Sequence, residues 1–426
     1  MRYIFYKKYV LAFLCFLILF WLIYHYFYKS NTIEYIPEKY IPNQIPPNCR
    51  ELYLPSVDPV TLYAAEKWIT PPNEIVSDSK LYKNINQNCN LFFENQKYFS
   101  VKSNVDEESF PIAFTIVAFK SASQVERLLR TIYRPWNYYC IHIDKKSDPE
   151  FVKAINRLVN CLDSKFNNTV STNNRVNVQW GKMSVLMADL NCMRELVYRY
   201  KKWKYLINLT GQEFPLKTNA ELVRILKLYK GANNIEGTYK ERNEDRVPRI
   251  KMPIPLVWYK GAVHITVNRE FVKFIFESQK SKIILDALQK TAVPDEQFFS
   301  TLNYNVHLQI PGSYIGDPDE MDPPGEHLHY FLTRFKNWSG NNLCKSRLFV
   351  RSICIWGVGD LPKLVSVPHL FANKFHEDFQ PAALMCLEKW YRDKVRKEMT
   401  TGQVLVNESY YASLPFVKYR YQLPVP

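Results

Sequence analysis

The sequence predicts an α/β sandwich with a mostly parallel sheet, and three observations carry that expectation. At 426 residues and 47% apolar content the chain can bury one large core or two smaller ones. Aromatic residues make up 15% and glycines number only 12, which excludes a disordered or fibrous chain. From Pro111 onward, apolar strand-like runs alternate with helical stretches at the spacing of strand–helix–strand units. In such sheets ligands bind beyond the carboxyl ends of the strands.

Two segments precede that pattern. Arg2, Lys7 and Lys8 come before an uninterrupted apolar run at 9–24, which Tyr26 and Phe27 extend past His25. At about 1.5 Å per residue this run spans a hydrocarbon layer about 30 Å thick. The flanking cations favour a cytoplasmic N-terminus, and Trp21, Tyr24 and Tyr26 suit the far interface. A cleaved signal peptide would be shorter and followed by a small-residue cleavage site. The expected layout is a cytoplasmic tail (1–8), a single transmembrane signal anchor (9–27), a lumenal stem (28–106) and a catalytic domain (107–426). The stem shows no sustained periodicity, and Pro37, Pro42, Pro46, Pro47, Pro71 and Pro72 are scattered through it. Its C-terminal half has reason to pack on the domain, because Cys49 and Cys89 need partners there.

Within the domain, 111–119 reads as a buried strand and 121–133 as a helix capped by Ser121 or Ser123. A strand at 138–144 leads to a helix at 148–159, a third strand at 175–180, a helix at 184–200 and a strand at 205–209. After a loop at 210–217 the elements shorten: a helix at 220–228, a strand and turn at 233–237, a charged excursion at 239–251 and a strand at 264–268. A helical stretch follows at 270–288, and Asp295 and Glu296 open another helix. The run 348–356 reads as one buried strand, Asp360 is placed to cap a short helix reaching Leu364, and 381–397 forms the C-terminal helix.

The formal net charge of +15 would permit nucleic-acid binding, but the basic residues are scattered and no nucleic-acid signature occurs. A solvated basic surface with affinity for anionic ligands or glycans is the better reading. Apart from Cys15, eight cysteines remain, an even number that suggests four disulfides in an oxidising lumen. None has Cys-x-x-Cys or Cys/His metal spacing, which argues against zinc. Sequons at Asn167, Asn337 and Asn407 are candidate glycan sites. The sequon at Asn208 lies inside a strand-like run and is expected to stay unmodified.

Chemistry is suggested by charges set among apolar residues. Arg351 and Lys374 sit in sequence that otherwise reads as core, where a charge is costly unless an anion meets it. Either internal carboxylates pair with them or they grip a phosphorylated ligand. Asp144 ends its strand, either as a partner for a nucleoside or as a cap for the turn at 145–147. Glu296, between Pro294 and the pair Phe298 and Phe299, either serves the helix dipole or acts as a general base. The one D-x-D, Asp317-Pro318-Asp319, lies in a Pro-rich acidic loop with no strand ahead of it and reads as a turn. After the 205–209 strand, where a metal-holding loop would be expected, Gly211-Gln212-Glu213 offers a single carboxylate. Sugar transfer with inversion needs a base for the acceptor hydroxyl and positive charge for the departing diphosphate, and two side-chain cations can supply the latter.

The blocks PIAFTIVAF, YYCIHIDKKS, ADLNCM, WKYLINLTGQEFPLKTN, VPDEQFF, VRSICIWGVGDL and HLFANKF resemble, in order, those of the core 2 β1,6-N-acetylglucosaminyltransferase family. That family includes I-branching transferases and, more distantly, peptide O-xylosyltransferases. The resemblance covers about Pro111 to the C-terminus. It implies a GT-A type, Rossmann-like domain in a type II Golgi membrane enzyme that transfers from a UDP-sugar with inversion and without metal or cofactor. It implies that Glu296, in the P-D-E block, is the catalytic base. Arg351, in V-R-S-x-C, and Lys374, in H-L-F-A-N-K-F, match the residues that grip the diphosphate. Asp144, in I-H-x-D, matches the uridine contact. Glu236, in N-N-x-E, matches an acceptor-sugar contact, and Arg246 is a further match in the charged excursion. The implied disulfides are Cys49–Cys386, Cys89–Cys161, Cys140–Cys192 and Cys344–Cys354, with Thr210 where the family has an unpaired cysteine.

The sequence departs from the family at 174–187, at 239–251 and upstream of Cys344, where TRFKNWSGNNLC is shorter than the family's acceptor region. Phe335 and Trp338 there either stack on a sugar or pack inside. The expected reaction adds GlcNAc, with glucose as the alternative donor sugar, in β1,6 linkage to the GalNAc of Galβ1-3GalNAc O-glycans. A xylosyltransferase acting on serine and a catalytically silent glycan-binding membrane protein are the rival readings. Expected partners are UDP-GlcNAc or UDP-Glc, an O-glycan acceptor on glycoproteins and the Golgi membrane, with no nucleic acid and with homo-oligomerisation left open.

Overall fold

A computed structural model describes residues 46–98, 104–320, 330–340 and 343–422. The expected tail, the anchor at 9–27 and the first part of the stem lie outside the described residues. Among those residues no helix is long and apolar enough to cross a membrane.

The β-branched and aromatic runs form the strands, in chain order β1 (Ile112–Ala118), β2 (Tyr138–Ile143), β3 (Thr169–Ser171), β4 (Tyr205–Thr210), β5 (Glu213–Pro215) and β6 (Asn234–Ile235). They are followed by β7 (Ile265–Asn268), β8 (Arg334–Phe335), β9 (Phe349–Val350), β10 (Ile353–Cys354) and β11 (Phe371–Asn373). The central sheet has the order β3-β2-β1-β4-β7-β6. The pairs β1–β2, β1–β4 and β2–β3 are parallel, whereas β7 runs antiparallel to β4 and β6. This is a mixed α/β fold with a parallel-rich central sheet, consistent with the GT-A type. A smaller sheet, β5-β11-β8, stands beyond the end of β4.

Helices cover the sheet because their apolar residues recur on one face. In Pro149–Phe166, Phe151, Ala154, Ile155, Leu158, Val159, Cys161 and Leu162 are buried. Asp148 caps its start, accepting from Glu150 N at 2.8 Å, and Pro149 presets the first turn. The helix outruns the expected 148–159 because Cys161 and Leu162 continue its buried face. Met183–Arg199 and Asn219–Leu228 fall where expected, the latter with a Thr218/Glu221 capping box.

Several expectations need correction. Neither Ser121 nor Ser123 caps the helix Ala122–Ile132. Both hydroxyls bond Glu377, and Asp78, far upstream, accepts from Ala122 N at 2.8 Å. The third strand is Thr169–Ser171, and 175–180 instead crosses the carboxyl end of β2, with Val176 O accepting from Lys145 N at 3.0 Å. The stretch 270–288 is two helices, Arg269–Glu277 and Gln279–Ala287, broken at Ser278, whose hydroxyl caps the second at Lys280 N. The run 348–356 is a two-stranded hairpin, not one buried strand. Asp360 turns its carboxylate back to Gly357 N (2.9 Å) and Lys345 N (2.7 Å) and does not cap Leu361–Leu364.

The folded unit begins at Pro46, so the second part of the stretch read as stem is packed structure. Helices Asp78–Gln87 and Cys89–Asn95 bury Leu81, Ile85, Phe92 and Phe93 in the core that also holds Leu158. Leu52, Ala65 and Trp68 pack with Cys386 and Leu387 of the C-terminal helix Ala382–Thr401. Disulfides join Cys49 to Cys386, Cys89 to Cys161, Cys140 to Cys192 and Cys344 to Cys354.

Asn167 and Asn407 are exposed. Asn337 is only 2% exposed, so the fold closes its amide to a glycan, against the sequence expectation. Asn208 is equally buried, and its Nδ2 donates to Asp189 and to Val263 O.

Candidate active site

Glu296 sits in a three-ten turn, Pro294–Glu296, one residue before the helix Phe298–Tyr304 rather than in that helix. The turn is entered through Val293 at φ +52°, a conformation that costs a β-branched residue about 1–3 kcal/mol and persists only under external constraint. The constraint is visible: Val293 N donates to Gly181 O at 2.9 Å. Arg246, from the short turn Glu244–Arg246 in the charged excursion, donates to Glu296 Oε2 at 2.9 Å. Gln297 Nε2 holds the Arg246 carbonyl at 2.8 Å. Oε1 of Glu296 has no partner among the described residues, so one carboxylate oxygen is fixed and the other is free. A narrow cleft opens here, lined by Arg242, Arg246, Trp258, Tyr259, Glu296 and Gln297.

Gly261 joins this turn to Glu236. Its N–H donates to Glu296 O at 2.6 Å, and a Cβ at this position would lie 2.0 Å from Glu236 O. Only glycine lets the two backbones approach this closely. The neighbouring Asp295 is buried, and burial first, then the charge of Glu296, pushes its carboxyl up to about 7. What sets it apart from Glu296 is access, not proton affinity: Asp295 is buried, whereas Glu296 lines the cleft.

Arg351 and Lys374 come together from different elements. Val350 pairs with Ile353 across a two-residue turn in which Arg351 and Ser352 both have positive φ, +52° and +61°. Turns of this type match the twist of a hairpin but usually contain Asn or Gly. The result is an exposed Arg351 at a hairpin tip, with the hairpin base tied by Cys344–Cys354. Lys374 follows β11 directly. Burial, and next the positive charge of Arg351, lower the pKa of its ammonium, while Glu213 opposes the shift. Among the described residues no carboxylate lies within ion-pair distance of either cation. Of the two readings left open by the sequence, the internal salt bridge is not the one the structure shows.

Beneath these cations lies a closed ionic cluster that sequence reasoning missed. Glu213, fully buried on β5, meets Arg334 Nε at 3.1 Å, His264 Nε2 at 3.0 Å and Asn373 Nδ2 at 3.0 Å. Burial pushes the Glu213 carboxyl up, but Arg334 and then His264 outweigh it and leave the pKa lowered. Burial brings His264 down to about 4, so the ring is neutral at physiological pH. The cluster fixes the residue preceding Lys374, which is how a buried ion pair positions an exposed charge.

Asp144 ends β2 and is 3% exposed. Its Oδ1 accepts from Lys146 N at 3.0 Å and Val178 N at 3.4 Å, and Lys146 Nζ lies 3.2 Å from Oδ2. The carboxylate thus organises the turn that follows β2, and the helix cap belongs to Asp148. The loop that bonds Asp144 through Val178 continues to Gly181 and so to Val293, linking this strand end to the Glu296 turn. Asp319 of the D-x-D serves a turn, accepting from Tyr239 N at 2.9 Å and Lys240 N at 3.0 Å.

Glu296 is thus paired with Arg246 and tied through Gly261 to Glu236, Arg351 acts on Lys374, and the loop from Asp144 reaches the Glu296 turn. A carboxylate with one open oxygen could take a proton, and cations without a counter-charge could receive a leaving anion, which is the chemistry a glycosyl transfer needs. The chain belongs to the Core-2/I-Branching enzyme family, whose profile matches residues 112–365. It is similar to a beta-1,3-galactosyl-O-glycosyl-glycoprotein beta-1,6-N-acetylglucosaminyltransferase of Bos taurus, with 34% identity over 74% of this chain and 77% of that protein. The enzyme of the same description from Homo sapiens is also 34% identical over the same shares. An N-acetyllactosaminide beta-1,6-N-acetylglucosaminyl-transferase of Homo sapiens is 33% identical over 74% of this chain and 80% of its own length.

Proposed function

We propose that this glycosyltransferase moves GlcNAc from UDP-GlcNAc onto the C6 hydroxyl of the GalNAc in Galβ1-3GalNAc O-glycans, with inversion and without a metal ion. Glu296 Oε1 takes the proton of the acceptor hydroxyl while Arg246 holds Oε2. The hydroxyl oxygen attacks the anomeric carbon, the bond to the diphosphate oxygen breaks, and UDP leaves toward Arg351 and Lys374. Asp144 stands at the strand end assigned to uridine, and Glu236 and Arg246 face the acceptor. The observation that supports this most is the pair of cations, Arg351 and Lys374, that no described carboxylate compensates. Positive charge from side chains can do the electrostatic work of a divalent ion on a departing diphosphate.

The disulfides support a place in an oxidising compartment, and with the sequence at 9–27 they support a type II Golgi membrane protein with a lumenal catalytic domain. The test is a screen of UDP-GlcNAc, UDP-Glc and UDP-Xyl against Galβ1-3GalNAc and serine-containing peptide acceptors. Transfer of GlcNAc to the disaccharide is expected. Transfer of glucose alone would correct the donor, xylosylation of peptide would replace the reading, and glycan binding without turnover would leave a silent binding protein.

A further inference from the structure

Lys336 is used by nothing described so far, yet the segment carrying it is tied in turn to the strand before Glu236, to β11 before Lys374 and to the Arg351 hairpin. Thr333 N and Oγ1 bind the side chain of Asn234, two residues before Glu236, at 2.8 and 2.9 Å. Phe335 pairs with Ala372 on β11, two residues before Lys374. Trp338 bridges to Ile353, and Ser339 N donates to Ser352 O at 2.8 Å, beside Arg351. Lys336 is the midpoint of this crossing. Its ammonium lies 5.4 Å from the centroid of the Trp338 ring and has neither a hydrogen bond nor an ion pair with any described residue. Trp338 is 47% exposed, whereas Phe335 is packed, stacked on Trp356 at 5.1 Å.

The charges acting on Lys336 are those of Glu236, Arg334, Glu213 and Glu296, and Lys336 in turn acts on Lys374. Burial, with the positive Arg334 beside it, lowers the pKa of its ammonium against the pull of the three carboxylates. Two of those carboxylates are already occupied, Glu213 by Arg334 at 3.1 Å and Glu296 by Arg246 at 2.9 Å. Glu236 has no partner among the described residues. An unpaired ammonium and an unpaired carboxylate thus share the acceptor side of the site. An ammonium only donates and a carboxylate only accepts, whereas a hydroxyl does both. An anionic acceptor group would meet the carboxylates of Glu236 and Glu296, so a neutral polyol is the better complement.

We propose that Lys336 is an acceptor-recognition residue whose ammonium donates to a hydroxyl of a neutral acceptor sugar while Glu236 accepts the proton of that hydroxyl. The assignment rests on the glycosyltransfer reading above and adds to it the residue that selects the acceptor. Losing a charge-assisted hydrogen bond of this kind corresponds to about 10- to 100-fold in affinity.

The test uses the full chain with UDP-GlcNAc and an aryl Galβ1-3GalNAc acceptor, with titration of UDP by calorimetry alongside as the measure of an intact donor site. K336M should raise the acceptor KM by about 10- to 100-fold, leaving donor KM and UDP affinity unchanged, and K336R should recover most of the loss. Removing the contacted acceptor hydroxyl as the deoxy sugar should cost less in K336M than in the wild type, because only the Glu236 contact is left to lose. An unchanged acceptor KM in a variant that still binds UDP would overturn the proposal, as would a rise in donor KM in its place. Wild-type enzyme that binds UDP but turns over no UDP-sugar with any acceptor would instead overturn the underlying reading.

Discussion

Two sets of cations only a few residues apart in the structure obey opposite rules. Arg334 is fully buried and locked to Glu213 at 3.1 Å, with His264 and Asn373 completing the cluster. Arg351 is exposed at a hairpin tip, and Lys374 beside it has no carboxylate of its own among the described residues. The first set is complete without a ligand and serves the fold. The second is incomplete, and two adjacent positive charges repel until an anion joins them. Partnering, more than residue type, separates the charges that hold the fold together from those left open to a ligand.

That contrast can be broken or sharpened by substitution. The largest effect belongs to E296Q, which keeps the shape of the base but removes its proton affinity. It should lower kcat by about 10²- to 10⁴-fold and leave UDP affinity unchanged, as steady-state kinetics and calorimetry would show. Near-normal turnover would contradict the assignment. E213Q strips the counter-charge from buried Arg334 and should lose about 3–5 kcal/mol of unfolding free energy in denaturant titration. R351M and K374M should do the reverse. Each is expected to weaken UDP binding about 10- to 100-fold with no loss of stability, because neither cation holds a partner in the fold.

A further contrast concerns Asp189, which is buried under the sheet, where Thr115 Oγ1 and Asn208 Nδ2 donate to it at 3.0 and 3.1 Å. Burial outweighs those bonds and raises its pKa from 3.8 to about 7. Between those values the folded state binds the proton that the unfolded state has released, so stability falls as pH rises from about 4 to about 7. Unfolding titrations across this window should show a shallower fall in D189N than in the wild type. Equal slopes would remove Asp189 from the account.

What the sequence made legible follows from where the physics is local. The strands β1, β2 and β4 were readable because their apolar runs are buried along nearly their whole length. The cap of Ala122–Ile132 was not, since it comes from Asp78. The Arg351 hairpin was missed because its turn carries Arg and Ser where a sequence signal needs Asn or Gly. Apolar residues on either side of Arg351 made the run look like one strand with a misplaced charge. Glu296, Arg351, Lys374, Asp144 and Glu236 were assigned roles through the resemblance, and the structure adds what joins them: Gly261, the Glu213–Arg334 cluster and the loop from Asp144 to Val293. Lys336 lies in one of the stretches that depart from the family pattern, where neither motif nor periodicity singled it out.

The claim on which the rest depends is that Arg351 and Lys374 take the place of a divalent ion. Its most direct test is UDP titration by calorimetry, with EDTA and then with Mn²⁺, on the wild type and on the double variant R351M/K374M. The account predicts wild-type affinity that EDTA leaves unchanged and Mn²⁺ does not improve, and binding lost in the double variant under both conditions. UDP binding that requires Mn²⁺ and survives removal of both cations would contradict it.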